Sequence, residues 1–268
     1  MAERMIEGAA PTRGPETVIV EEPMEIRLDD ALVATTMRTP GHDFELAVGF
    51  CHSEGLLAGV TGTPVPVETV RYCATGTAVE TRFNVVSVST AGRALAPEPR
   101  LTTIGSSCGL CGSASIETLS TRLRPIERAV TPMRWDTLRV VGAAVRAGQE
   151  LFESTGAVHA AAAFDVDSGA VLLSREDIGR HNAVDKVVGR VLLDGAIPAR
   201  SLGLWISGRT SFEMVQKAWS AGFGVVASVS APSSMAVETA RLAGIALAGF
   251  VRDGRLTVYT EPDRDAAR

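Results

Sequence analysis

A surplus of positive charge is the first thing this chain does without. Its 26 Lys and Arg stand against 31 Asp and Glu, a net charge of −5 over 268 residues. Nothing supplies the broad cationic surface on which affinity for a nucleic-acid backbone rests, although local anion sites stay open. Long apolar runs are also missing. Met1 to Gly14 carries charges and no apolar core of signal-peptide length, and no later segment approaches the run needed to span a bilayer. A cytoplasmic protein is therefore expected. Cysteines number only four, and in a reducing compartment they are explained by chemistry, metal binding or burial before a disulfide framework. Aromatics are sparse, at 5%, so the core must be built mainly from Ala, Val and Leu. At this length that means one large core or two modest ones.

Along the chain, residues 1–15 read as a disordered lead and 263–268 as a frayed tail. Residues 16–100 read as a β-rich N-terminal subdomain, and 101–262 as a Cys-x-x-Cys loop followed by an α/β domain. Strands are predicted at Thr17 to Val20, Met24 to Leu28 and Ala31 to Thr36, the last two joined by a tight Asp29-Asp30 turn. Pro40 and Gly41 then break the strand, and a helix begins near Asp43, with Leu46, Phe50 and Leu57 at helical spacing. Arg38 and Thr39 beside that helix start suit an anionic group. Val65 to Cys73 and Val79 to Ser89 complete the β-rich part; Cys73, alone in a strand, reads as packed rather than reactive.

The second half changes grammar. Asp136 to Thr155 reads as one helix with Leu138, Val141, Val145 and Phe152 on one side and Gly156 as its stop. Val158 to Val166 and Ala170 to Ser174 pair across Asp167-Ser168-Gly169. Further on, apolar strands Leu202 to Ser207, Val225 to Ser230 and Ile245 to Val251 alternate with helices at Ser211 to Ala221 and Ser234 to Ala243. This alternation predicts a mostly parallel sheet covered on both faces.

In such a sheet, ligands bind beyond the carboxyl ends of the strands, and the polar residues of this half collect there. Ser207 and Arg209 follow the first strand and Ser230 the second, each at a helix start where free N–H groups suit a phosphate. Ordinary helix capping explains the serines equally well. Glu176-Asp-Ile-Gly-Arg-His-Asn-Ala-Val-Asp-Lys opens another helix, with Asp177, Arg180, His181 and Asn182 at its mouth suited to guanine edges, ribose or phosphate. Lys186 reads as part of a solvated helix face, and His159 as a core histidine ahead of a catalytic one. Phe250, Val251, Arg252, Asp253, Gly254 and Arg255 carry two arginines and one aromatic, able to clamp a phosphate and stack on a base, or to form a plain Asp-Gly turn.

The most distinctive stretch is Ser106-Ser-Cys108-Gly-Leu-Cys111-Gly. Glycines inside and after the pair describe an exposed loop whose thiols can reach out. Sulfur chemistry, half of a zinc site and a simple turn all remain open for it. A zinc deaminase uses His-x-Glu followed by Pro-Cys-x-x-Cys, and His52-Ser-Glu54 with Cys108 and Cys111 offers that inventory. Ser107 in place of proline and the long gap count against it. A weaker variant joins Cys51 and Cys73 to Cys108 and Cys111 as a four-thiolate site.

From about Thr17 to Tyr259 the chain resembles the FdhD/NarQ family of formate dehydrogenase accessory sulfurtransferases. The blocks that carry the likeness are Arg38-Thr-Pro-Gly with Glu45-Leu-Ala-Val-Gly-Phe, Ser106-Ser-Cys-Gly-Leu-Cys-Gly, Thr155-Gly-Ala-Val-His-Ala and Glu176-Asp-Ile-Gly-Arg-His-Asn-Ala-Val-Asp-Lys. To these are added Ser207-Gly-Arg-Thr-Ser-Phe-Glu-Met, Ser230-Ala-Pro-Ser-Ser and Gly249-Phe-Val-Arg. The resemblance implies a three-layer cytidine-deaminase-like α/β domain with a smaller β-rich N-terminal subdomain, assembled as a homodimer. It implies a sulfur carrier that takes persulfide from a cysteine desulfurase on Cys108, with Cys111 as its partner. The sulfur would go to molybdenum of the bis-guanine-dinucleotide cofactor destined for formate dehydrogenase. Phe250 to Arg255 corresponds to the cofactor-binding segment, and guanosine diphosphate is the fragment expected to bind. Cys51 and His52 stand where relatives are expected to carry apolar or hydroxyl residues, which sets His52-Ser53-Glu54 apart from the family pattern.

Overall fold

The computed structural model describes residues 1–59, 63–72, 83–95, 123–126, 135–252 and 254–261. Ala2–Arg4 (β1) and Thr12–Gly14 (β2) form a short exposed antiparallel pair. Glu22–Leu28 (β3) and Ala31–Arg38 (β4) form the first long hairpin. Asp29 and Asp30 turn it with φ of 45° and 68°, the left-handed pair that a two-residue turn demands and that short polar side chains tolerate. With Thr69–Tyr72 (β5) and Val85–Ser89 (β6), these strands make a four-stranded sheet in the order β4-β3-β6-β5. Thr17 to Val20, expected as a strand, lies outside every strand, and Val18 and Val20 are exposed. Among the described residues no strand pairs with it.

The larger sheet runs β12-β11-β10-β9-β7-β8. Its parallel centre is Leu202–Ile206 (β9), Val225–Ser228 (β10) and Ala246–Arg252 (β11). His159–Asp165 (β7), Val171–Asp177 (β8) and Arg255–Thr260 (β12) run antiparallel at its two sides. The sheet is thus mixed, with the expected parallel order confined to the three strands that alternate with helices. The expected long helix over Asp136 to Thr155 is two helices, Leu138–Ala147 (α2, numbering Asp43–Ser53 as α1) and Glu150–Thr155 (α3), parted at Gly148.

Side-chain alternation in the strands then sorts the layers. Ala161, Ala163, Leu204, Ile206, Val226 and Leu247 face Arg180–Leu193 (α4), Phe212–Ala221 (α5) and Ser234–Ala243 (α6). Ala160, Ala162, Trp205, Ala227, Ala246 and Ala248 face the buried side of α2, made by Leu138, Val141 and Val145. The result is three layers, helices over both faces of one sheet, as the alternation required.

Helix α1 lies between the four-stranded sheet and α4. Its contact with α4 is made backbone to backbone: a Cβ on Gly49 would stand 1.9 Å from the Asp185 carbonyl oxygen, and one on Gly189 1.8 Å from that of Glu45. Glycine at both positions is what allows the crossing. Beside it, Arg175 grips Glu45 with two hydrogen bonds of 2.5 and 2.8 Å.

A buried ionic cluster ties the two sheets together. Asp177, fully buried, accepts from Lys186 Nζ at 2.8 Å, Thr39 N at 3.2 Å, Gly179 N at 2.8 Å and Asn182 Nδ2 at 3.0 Å. Lys186 also donates to the Thr39 carbonyl at 3.0 Å. Lys186 is therefore a core residue, contrary to its reading as part of a solvated face. A long aliphatic stem and one well-satisfied charge are tolerated inside because the partner carboxylate is buried with it.

Asp177→Asn should destabilise the protein by about 3–5 kcal/mol, because it leaves the Lys186 ammonium buried without its counter-charge. Asp177→Leu with Lys186→Met should recover much of that loss, and urea unfolding of the three proteins checks both statements. His52 gives a second expectation. Its Nε2 lies 2.9 Å from the Ser220 carbonyl oxygen, and burial pushes its pKa below the ordinary value, with the hydrogen bond acting in the opposite direction. The unfolded imidazole takes a proton below about pH 6.5 while the folded one resists. Stability should fall as pH drops from that value toward the folded pKa, and the urea midpoint of His52→Gln should fall less steeply between pH 7 and 5.

Candidate functional site

A cavity of about 690 Å³ opens at the carboxyl ends of β9 and β11, under α2 and α3. The amphipathic pattern of α2 creates one wall. Leu138, Val141 and Val145 bury themselves on the sheet, and Arg139, Gly142, Ala143 and Arg146, at helical spacing, border the space. Arg146 lies over the Phe152 ring, 4.1 Å from its centroid, so the break at Gly148 brings the second helix back beneath the arginine. Arg252 and Arg255 stand across the mouth, paired in the β11–β12 register. His159, Ser207, Ile178, Val229, Val251 and Trp205 complete the inner surface.

The charge of this lining is one-sided. Four arginines border it and no carboxylate does among the described residues. All four lie exposed at the rim, whereas Trp205, 3% exposed, forms the floor. Such an arrangement suits an anion at the entrance and an apolar or aromatic group inside.

His159 lines this cavity instead of the core. Its Nδ1 lies 3.4 Å from Ser207 Oγ, which in turn accepts from Ala160 N at 2.9 Å. Burial lowers the imidazole pKa, and the positive charges of Arg180 and Arg209 lower it further, so the ring is neutral at pH 7. Gly208 lies beside that ring; a Cβ there would meet His159 Nδ1 at 3.4 Å and Arg180 Cδ at 3.6 Å.

Of the residues singled out in the sequence, Ser207, Val251, Arg252, Gly254 and Arg255 border the cavity. Phe250, Arg180, His181, Arg209 and Ser230 do not. Phe250, with φ of 54°, donates its N–H to the Ser230 carbonyl, anchoring the start of the turn. Ser230 and Arg209 belong to loops bound to each other: Thr210 N donates to Ala231 O, and Ser233 N to Thr210 O. These bonds engage the Thr210 and Ser233 N–H groups, and Ser233 Oγ caps α6 by accepting from Ala236 N. His181 and Asn182 are buried at the start of α4, where Asn182 joins the Asp177 cluster. Cys108, Cys111 and Asp253 lie outside the described residues, as does Cys73.

The site expected beside Arg38 and Thr39 is filled from within. Arg38 donates to Asp43 from Nε at 3.1 Å and Nη2 at 2.9 Å, and to Asn84 at 2.9 Å. Thr39 serves Asp177. The anion that this corner suits is the protein's own carboxylate.

Nor do His52 and Glu54 point to a metal. His52 is spent on Ser220, and Glu54 sits 3.9 Å from Lys217 Nζ, which is held mainly by Asp185 at 2.8 Å. Cys51 is fully buried, and that burial drives its thiol pKa well above the ordinary value. A thiol so protected is neither ligand nor nucleophile. Among the described residues no group of three or more His, Cys, Asp or Glu is arranged to hold a metal ion, and no helix is long and apolar enough to cross a membrane.

Sequence reasoning missed Arg139, Arg146 and Trp205. The arginines sit on the polar side of an amphipathic helix, where solvent is the ordinary explanation. The signal available was Gly142 between them, a helix-weakening residue at a position that calls for close approach.

Comparison with known proteins gives the family. A sulfur carrier protein FdhD of Mycolicibacterium paratuberculosis is 45% identical over 256 residues, covering 93% of this chain and 92% of its own. One from Streptomyces avermitilis is 44% identical over 271 residues, covering 99% and 94%. The crystal structure of a protein from Desulfotalea psychrophila, described as a formate dehydrogenase accessory protein, superposes with a TM-score of 0.73. It covers 98% of this chain and 96% of its own at 23% identity, a likeness of fold. Residues 19–265 match the FdhD/NarQ family, and the chain belongs to that family.

Proposed function

We propose that the chain is a sulfur carrier for formate dehydrogenase maturation. It receives persulfide sulfur from a cysteine desulfurase on Cys108 and delivers it to the molybdenum bis-guanine-dinucleotide cofactor, bound as substrate. The observation that carries this reading is the cavity. Four arginines at its rim suit the diphosphate of one guanine-dinucleotide end, and 690 Å³ suits a single nucleotide. A homodimer supplies two such cavities for the two ends. The names of the relatives and the Cys108-Gly-Leu-Cys111 motif point the same way.

Loading is a thiol exchange. The Cys108 thiolate attacks the outer sulfur of the donor persulfide, the donor's S–S bond breaks, and the donor leaves as a thiolate. For release, the Cys111 thiolate attacks Cys108 Sγ, expels sulfide and closes a Cys108–Cys111 disulfide, which a cellular dithiol then reduces. Both steps conserve atoms and electrons, and both need an accessible thiolate. That requirement rules out buried Cys51 as the carrier.

Intact mass after incubation with a cysteine desulfurase and cysteine tests the carrier step. The wild type should gain one sulfur that a reductant removes, and Cys108→Ala should gain none. Cys111→Ala should load normally and release slowly. Cys108→Ala that still restores formate dehydrogenase activity in cells lacking the native protein would reduce the role to cofactor binding.

A further inference from the structure

We infer that Trp205 reads the base of the bound nucleotide, donating its indole N–H to the O6 oxygen of guanine. This rests on the nucleotide reading of the cavity and adds a specificity-determining residue to it. Three tryptophans occur in the chain. Trp219 Nε1 donates to the Arg124 carbonyl at 2.8 Å and Trp135 Nε1 to Glu261 at 3.3 Å. Trp205 Nε1 is buried in the cavity floor and has no hydrogen-bond partner among the described residues. A buried donor without a partner is costly, and an indole can only donate. The group that completes this floor is therefore an acceptor.

Gly142 makes the room. A methyl group at its Cβ position would lie 3.7 Å from Trp205 Nε1 and 3.8 Å from the Val251 carbonyl oxygen, with nothing nearer. One donor and one acceptor thus face the same notch in α2. Val251 lies in the irregular stretch between Gly249 and Arg252, where the β11–β12 register shifts. Arg139 and Arg146 flank the notch three residues before it and four after it. With phosphates held at the arginines, the base enters over the apolar lining of Ala143, Val229 and Val251. Guanine offers the O6 acceptor beside the N1–H donor. Adenine in the same pose offers the 6-amino donor beside an N1 acceptor, setting donor against donor at Trp205.

Calorimetric titration of the full-length protein with GDP, IDP, ADP and inorganic pyrophosphate tests this. Wild type should bind GDP and IDP alike, since both carry O6 and N1–H, and ADP about tenfold or more weaker. Trp205→Phe should lose about tenfold in GDP affinity and keep its ADP and pyrophosphate affinities. Gly142→Ala fills the notch without a clash and suits a helix better, so it should melt no lower than wild type, bind pyrophosphate normally and lose GDP. Equal loss of GDP, ADP and pyrophosphate in Trp205→Phe would overturn the inference, as would unchanged GDP binding in Gly142→Ala. Loss of pyrophosphate alone would assign the indole to phosphate instead. Wild-type protein that binds neither GDP nor pyrophosphate would overturn the nucleotide reading itself, and the inference with it.

Discussion

The buried Asp177–Lys186 pair anchors one side of the cavity. Asp177 ends β8 directly opposite His159 on β7, and the next residue, Ile178, is part of the cavity wall. The same carboxylate fixes Gly179 and Asn182 at the start of α4 and the Thr39 backbone at the end of the β3–β4 hairpin. Two charges in an apolar interior are tolerable only if every lone pair and proton finds a partner. That requirement pins the sheet edge, the helix start and the smaller sheet to one geometry. The Gly49–Gly189 crossing then extends the constraint along the whole of α4.

With that edge fixed, the cavity follows from side-chain size. The face under α2 is paved with Ala160, Ala162, Ala227, Ala246 and Ala248, so the helix lies close along the middle of the sheet. Toward the carboxyl ends of β9 and β11 the alanines give way to Trp205 and Val251, which become floor. Polar residues that looked alike in the sequence divide into two kinds here. Arg38, Thr39, Asn182 and Lys186 are consumed in holding the parts together. Arg139, Arg146, Arg252 and Arg255 remain at an open rim.

Much of the fold was legible because its signals are local. The Asp29-Asp30 and Asp167-Ser168-Gly169 turns announce their hairpins, and apolar strands alternating with helices announce the parallel centre. What escaped depends on distant partners. Lys186 looks solvated until Asp177 is placed three-dimensionally beside it, and His159 looks internal until Ser207 and the cavity lie next to it. The split at Gly148 is a choice between helix continuation and the stacking of Phe152 under Arg146, which periodicity alone does not settle. Of the cavity lining, Ser207, Val251, Arg252, Gly254 and Arg255 could be picked out beforehand because chemistry-bearing residues gather at strand ends. The α2 wall could not, because exposed arginines on a helix carry no mark of what they face. Arg209 and Ser230 lie outside the cavity, in two loops that bond to each other through Thr210, Ala231 and Ser233.

The most direct measurement is a crystal structure of the protein with GDP bound. The account requires the diphosphate among Arg139, Arg146, Arg252 and Arg255, with the base lodged in the Gly142 notch over Trp205. Nucleotide found instead at the Arg209 and Ser230 loops, or at Arg180 and His181 with the cavity empty, would contradict it.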